Sequence, residues 1–283
     1  MTDPERLIPG LYIVATPIGN LGELSPRAAQ VLSSVDLIAA EDSRVTAKLL
    51  RHIGVKRPMI AYHDHNADRV RPELLARLGS EAIALVSDAG TPLISDPGYK
   101  LVRDARAAGH YVTTVSGPCS AIAALTLSGL PSDRFLFAGF LPSKAGARAT
   151  ALAELADVRA TLIFFESGPR LSASLAAMAE TLGNREAAVA REISKKFEEV
   201  VTGTLADLAA RYENAPPKGE IVVVVGPPAP AAAASLEDMD SALAEAMARL
   251  SIKQAVAEVA DRLSLPRRDV YTRALALKEA EGA

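Results

Sequence analysis

The chain has 283 residues, 49% of them apolar, and a formal net charge of −3, which is room for two compact α/β domains, or one large one, with a short appendage. The acidic balance excludes a protein that coats nucleic acid through bulk charge, and the lack of Trp with only 4% aromatics argues against a base-stacking platform for single strands. A single cysteine, Cys119, rules out an internal disulfide and a cysteine-built zinc site.

The first nine residues are charged and lack an apolar core, so no signal peptide is expected. No run approaches the length of a membrane span, and a cytoplasmic protein with no membrane contact is the expectation. Residues 11–15 read as the first strand, and Ser25-Pro26 opens a helix with a capping hydroxyl and proline at the first helical position. Residues 35–39 form a second strand, followed by a helix through Val45, Leu49 and Leu50. Strands follow at 59–62, 82–86 and 111–115, with a helix over 98–108. Five βα units in about 115 residues imply a mostly parallel sheet covered on both faces.

The second half differs. Strands are expected at 135–138, 161–165 and 186–191, an alternating hairpin strand at 197–205, and a continuous buried strand at 221–225. The expected organisation is a parallel α/β domain over 1–117 and a mixed α/β domain over 118–228, with a cleft between them. A linker at 229–235, within a proline- and alanine-rich run, leads to a helical tail over 236–283. Helical patterns in the tail cover 236–250, 252–260 and 267–278, with Leu263-Ser264-Leu265-Pro266 between the last two.

Residues 87–98, Ser-Asp-Ala-Gly-Thr-Pro-Leu-Ile-Ser-Asp-Pro-Gly, are the most informative stretch. They sit between a buried strand and a helix, where open α/β sheets bind ligands, and exceed the usual connection of about 2–6 residues. Gly90 and Gly98 permit positive φ or close approach to the backbone, while Pro92 and Pro97 set the chain direction. Asp96-Pro97-Gly98 also reads as an ordinary helix start. The Ala15–Gly22 loop stands where a phosphate loop would, but its glycine spacing is wrong and Pro17 removes an amide, which argues against pyrophosphate.

Glu41-Asp42-Ser43-Arg44 either holds a hydroxyl-bearing substrate or caps its helix through Asp42 or Ser43. His63-Asp64-His65-Asn66 lacks convergent partners for a metal and reads as a polar loop. The small residues of Ser116-Gly117-Pro118-Cys119-Ser120-Ala121 let a flat ligand approach a helix N-terminus, with Cys119 as a packed thiol. Polar strand ends at 139–144, 165–170, 191–196 and Gly219-Glu220 equip the second half to face the first.

Taken in order, the 11–22 loop, the Glu41–Arg44 block, the 87–98 run, the 116–121 turn and the 139–144 block resemble the tetrapyrrole-methylase superfamily, and within it the branch acting on small-subunit ribosomal RNA. The resemblance implies two dissimilar α/β domains of the tetrapyrrole-methylase type, with S-adenosylmethionine in the cleft and no metal. It also implies methyl transfer to the ribose 2′-hydroxyl of a decoding-region cytidine of 16S rRNA, in a homodimeric enzyme. By motif match the cofactor is lined by Pro17, Ile18, Gly90, Thr91, Pro92, Ile94, Ser120, Ala121 and Gly219. Two departures stand out: Gly168-Pro169-Arg170 where the family often has Pro-His-Arg, and Glu23 where related methylases often have Asp.

A ribose hydroxyl is a weak nucleophile, so a base or an alkoxide-stabilising cation is expected. Lys144, Asp88 and Glu41 are the leading catalytic candidates, with Asp42 and His63 behind them. RNA contact is expected from Arg134, Lys144, Arg148, Lys195 and Lys196, and from Arg262, Arg267, Arg268 and Arg273 of a tail that reads as a helix-turn-helix or as a packing appendage. Two other readings stay open: a small-molecule tetrapyrrole methyltransferase, and a non-enzymatic ribosome-binding protein.

Overall fold

The computed structural model describes residues 7–229, 236–263 and 265–281. Residues 1–6 of the charged N-terminal stretch, 230–235 of the expected linker and Ser264 of the last turn lie outside the described residues. The chain divides into two compact units, Met1–Pro227 and Pro228–Ala283.

The first half of the large unit runs β1 (Gly10–Val14), α1 (Pro26–Ser34), β2 (Leu37–Ala40), α2 (Ser43–His52), β3 (Met59–Ala61), α3 (Ala67–Arg77), β4 (Ala82–Val86), α4 (Tyr99–Ala107) and β5 (Val112–Val115). The strands pair in the order β3-β2-β4-β1-β5, all parallel. The three central strands, β1, β2 and β4, are buried on both faces, which is why they are continuous apolar runs. Tyr12, Val14, Ile38 and Ala84 pack with Val31 and Leu32 of α1 and Leu50 of α2. Leu11, Leu37, Ile83 and Leu85 pack with Leu74 of α3 and Leu101 of α4. From β1 the chain moves one way along the sheet, and from β4 it moves the other. The crevice therefore opens at the carboxyl ends of these two neighbours, where residues 15–20 and 87–98 leave the sheet.

The second half runs α5 (Ser120–Ser128), β6 (Phe135–Phe140), α6 (Ala145–Ala153), β7 (Thr161–Ser167), α7 (Leu171–Leu182), β8 (Glu186–Arg191), β9 (Glu199–Thr204), α8 (Leu205–Glu213) and β10 (Glu220–Val225). Its sheet has the order β6-β7-β10-β8-β9, with β6 parallel to β7 and the other pairs antiparallel. One face packs Leu162, Phe164 and Val223 against Leu175 of α7 and Leu208 of α8. The other packs Ile163, Ala190 and Val222 against Ala121 and Leu125 of α5, and takes in Ile18 from the first half.

The small unit holds α9 (Leu236–Met247), α10 (Ile252–Leu263) and α11 (Arg267–Glu281), closed around Leu243, Val256, Val259 and Val270. Four of its arginines are tied internally, Arg249 to Glu258, Arg262 to Glu245, Arg267 to Asp261 and Arg273 to Asp240.

Element boundaries differ from the sequence reading at a few places. The Val35 amide closes the last turn of α1 on the Val31 carbonyl, so β2 starts at Leu37. β6 runs on past Ala138 to Phe140 through a bulge at Phe137/Gly139. β9 begins at Glu199, because residues 192–198 fold into a turn closed by the Lys195 amide on the Glu192 carbonyl. The sequence reading placed no helix at α3, whose pattern Pro72 interrupts.

Phe164 is fully buried in the centre of the second sheet. Phe164→Ala should cost about 3–5 kcal/mol of unfolding free energy, read as a lower urea midpoint at unchanged slope. A loss under about 1 kcal/mol would contradict this packing.

Candidate active site

Two loops of the first sheet build one wall. Thr16 and Gly90 form an antiparallel bridge, with N···O distances of 2.8 and 3.0 Å. Gly90 has φ of 78°, and a Cβ there would lie 3.2 Å from Cγ2 of Ile18, so the bridge requires glycine. Further along the same loop Leu93 and Ser95 hold φ of 76° and 64°. Such positions are strained for side-chain-bearing residues and collect at functional sites. The Thr91 hydroxyl donates to the Pro118 carbonyl at 3.1 Å, tying the loop to the entry of α5.

A second clasp joins the ends of β2 and β4. The Asp88 amide donates to Glu41 Oε2 at 3.1 Å, and the Asp42 amide donates to Asp88 Oδ1 at 3.0 Å. Asp42 caps α2 by accepting the Arg44 amide at 2.8 Å and pairs with its guanidinium, which holds the Asp42 carboxyl down at about 2. Helix capping is thus the observed use of Asp42.

These loops and strands β6, β7 and β10 enclose a cavity of about 260 Å³. Of the residues expected at the site, Ile18, Glu41, Asp88, Gly90, Thr91, Ile94 and Ser120 line it. Pro17, Pro92, Ala121, Gly219 and Lys144 are not on its surface. Pro17 joins Thr16 to Ile18, Pro92 and Ala121 are buried behind the wall, and Gly219 is pressed against the Glu192 side chain. Lys144 is exposed at the N-cap of α6, four residues past Phe140. Asp96, Cys119, Phe140, Phe165, Glu166, Ile193, Glu220 and Val222 also line the cavity; the sequence placed Asp96 in the ligand loop and Phe140, Phe165, Glu166, Ile193 and Glu220 in blocks facing the first half, without an individual role for any of them. For Phe140, Phe165, Glu166 and Glu220 the signal, polar or aromatic residues at strand ends of the second half, was visible; their convergence was not.

The sequence pattern of the tetrapyrrole (corrin/porphyrin) methylases matches residues 10–209. The chain belongs to this family. Residues 233–278 match a second pattern, the RsmI C-terminal HTH domain. A protein of Erythrobacter litoralis named ribosomal RNA small subunit methyltransferase I is 56% identical, with 97% of each chain covered. A Mesorhizobium japonicum protein of the same name is 51% identical over 98% of this chain and 95% of its own. Uroporphyrin-III C-methyl transferase of Thermus thermophilus, solved with S-adenyl homocysteine, shares the fold at a TM-score of 0.53 and 20% identity, covering 77% of this chain and 97% of its own. The methylase is therefore an enzyme, and the reading of a non-enzymatic binder falls.

Both departures from the family pattern have structural uses in this methylase. Glu23 accepts a hydrogen bond from the Ser194 hydroxyl, joining the first loop to the β8–β9 turn. Ahead of Gly168-Pro169-Arg170, buried Glu166 pairs with Arg170 at 3.4 Å and accepts the Ser174 hydroxyl at 2.5 Å, fixing β7 to α7.

The lining carries five carboxylates, Glu41, Asp88, Asp96, Glu166 and Glu220, and no lysine, arginine or histidine. Arg170 offsets Glu166, and Lys195 reaches Glu220 at 3.2 Å. Glu41, Asp88 and Asp96 are left as an acidic trio. Burial raises the Glu41 and Asp88 carboxyls. It pushes Asp96 up to about 6, helped by the charges of Glu41, Asp88 and Asp64 and opposed by a hydrogen bond from Ser87. A bound cation relieves this repulsion, whereas a bound phosphate worsens it. His63 and His65 stand with ring centroids 6.0 Å apart, and among the described residues no group of three or more histidine, cysteine or acidic side chains is arranged for a metal.

Because Asp96 binds its proton more tightly folded than unfolded, its ionisation destabilises the fold as pH rises from about 4 to about 6, and the penalty is constant above that. Asp96→Asn should melt a few degrees above the parent at pH 8, with the gain shrinking to nothing below pH 4. Equal melting temperatures at pH 8 would refute the strained carboxylate.

Proposed function

We propose that this methylase transfers the methyl group of S-adenosylmethionine to the ribose 2′-hydroxyl of a decoding-region cytidine in 16S rRNA, on the small ribosomal subunit. The observation that carries this reading is the near full-length similarity to relatives named for small-subunit rRNA. The tetrapyrrole-methylating neighbour shares only 20% identity, so a tetrapyrrole substrate is the weaker reading.

The lining residues suit the cofactor. A sulfonium and an ammonium both fit a cavity with carboxylates and no cation on its surface. When bound, the cofactor supplies an activated methyl, which leaves the protein chiefly the task of alignment. Ile18, Gly90, Thr91 and Ile94 provide an apolar and backbone wall, and Ser120 adds a hydroxyl in the first turn of α5. Pro17, Pro92 and Ala121 act from behind that wall, while Gly219 lets Glu192 approach the start of β10.

The acceptor hydroxyl must lose a proton as its oxygen takes the methyl group. Asp96 is the proposed proton acceptor, since a carboxyl near 6 is ionised at neutral pH yet binds a proton better than an ordinary carboxylate. Burial is the main cause of that raised value, and the charges of Glu41 and Asp88, whose positions the β2–β4 clasp fixes, add to it. Exposed Lys144 is assigned to RNA phosphate, and Arg134, Lys196 and Arg268 are exposed cations proposed for the same role. Lys195 is committed to Glu192 and Glu220 instead. The family resemblance adds a homodimer and a cytoplasmic setting to the proposal.

Calorimetry should show the protein binding S-adenosylmethionine, and label from it should appear on a cytidine ribose of 30S particles or naked rRNA lacking the mark. No label on either RNA would sink the reading. Asp96→Asn should weaken cofactor affinity no more than a few-fold and lose about 100-fold or more in kcat, and the parent kcat should fall below about pH 6; a variant with parental kcat would remove Asp96 from proton transfer. Lys144→Ala should keep cofactor affinity and kcat and raise KM for 30S several-fold, an effect that weakens with added salt. A KM within twofold of the parent would remove Lys144 from the RNA contact.

A further inference from the structure

Phe140 stands at the cavity with its side chain mostly in solvent; the residue is 58% exposed. Its placement is built by a bulge. On a regular strand β6, residue 139 would oppose Phe165 and Phe140 would turn toward the core on the far face of the sheet. The extra residue between Phe137 and Gly139 shifts the pairing so that Phe140 opposes Phe165. Both rings then meet Phe165 edge to face, Phe137 at 4.9 Å and Phe140 at 5.5 Å. Gly139 makes the turn with φ of 65°, and a Cβ there would lie 3.4 Å from the Ser95 hydroxyl, where the 87–98 loop abuts the bulge.

Two inner rings therefore brace an outer one whose free surface borders the cavity. The occupant must be compatible with that cavity's charge. Five carboxylates and no cation on the lining disfavour a phosphate, whereas a neutral flat ring adds no repulsion. A 2′-hydroxyl on the outside of an A-form helix is open to contact, but a cavity set between two sheets takes in a ribose best from a splayed single-stranded nucleotide, whose unstacked base then gains from a new face.

We propose that Phe140 is the stacking surface for the nucleobase of the acceptor nucleotide, holding it splayed out while its ribose reaches into the cavity. This rests on the RNA ribose reading above. It assigns one aromatic to one base, which fits a chain too poor in aromatics to track a whole strand.

The test is steady-state methyl transfer to 30S particles lacking the mark, with the parent, Phe140→Ala and Phe140→Tyr, beside cofactor calorimetry and sedimentation of each. Stacking predicts that Phe140→Ala lowers kcat/KM for 30S by about tenfold or more, the scale seen when base-stacking aromatics are cut to alanine. Cofactor affinity should stay within twofold, and Phe140→Tyr should retain most of the activity. Parental kcat/KM in Phe140→Ala would overturn the proposal. So would an equal loss of cofactor affinity, which would make Phe140 a cofactor wall, or a change of oligomeric state, which would mean that a second copy covers the ring. An active parent with an indifferent Phe140→Ala defeats this proposal alone, whereas a parent that labels no RNA defeats the ribose reading and this proposal with it.

Discussion

The two hydrogen bonds between Thr16 and Gly90 are the constraint on which the site depends. They join the loops that leave β1 and β4 in opposite directions, at the point where the parallel sheet changes its winding. With that bridge in place, Ile18 is carried onto the second sheet, where it packs with Ala121, Ile163 and Val222. One backbone pairing thus sets both the wall of the cavity and the seating of one half of the large unit on the other. Glycine at 90 is required by positive φ and by the nearness of Ile18, not by a phosphate.

Around this bridge the structure concentrates features that cost stability. Leu93 and Ser95 occupy left-handed backbone conformations, three carboxylates share one rim, and a phenylalanine faces water. None of these helps the fold in isolation. The buried clusters on both faces of each sheet supply the stability that tolerates them. Their coincidence at one cavity marks it as the place where binding energy is used.

The sequence exposed the scaffold well because the strands are buried on both faces. Residues 82–86 and 186–191 are apolar enough to be placed to the residue, and Ser25-Pro26 announces its helix through capping chemistry. Glu41, Asp88, Gly90 and Ser120 were legible as strand-end residues, and the structure brings all four to one cavity. Lys144 ranked high as a charged residue in a conspicuous block, yet it stands exposed at the N-cap position of α6 and off the cavity surface, because a lysine's type says nothing of where its helix begins. Asp96 also read as a helix start and Phe140 as one member of a polar strand-end block, since neither the acidity of a neighbour nor a one-residue bulge is written in a local pattern.

Local chemistry, acting within a few residues, settled the elements of this protein: alternating apolar runs, caps, prolines and the long loop at 87–98. The same patterns bounded the family and, through it, the kind of reaction. Tertiary structure alone decided which carboxylates share a cavity, that Asp96 is pushed up to about 6, and that a bulge turns Phe140 outward to the cavity. Those outcomes depend on desolvation and on charges brought together from strands more than 40 residues apart in the chain, as in the Glu41–Asp88 clasp. Such distances exist only once the sheets have formed.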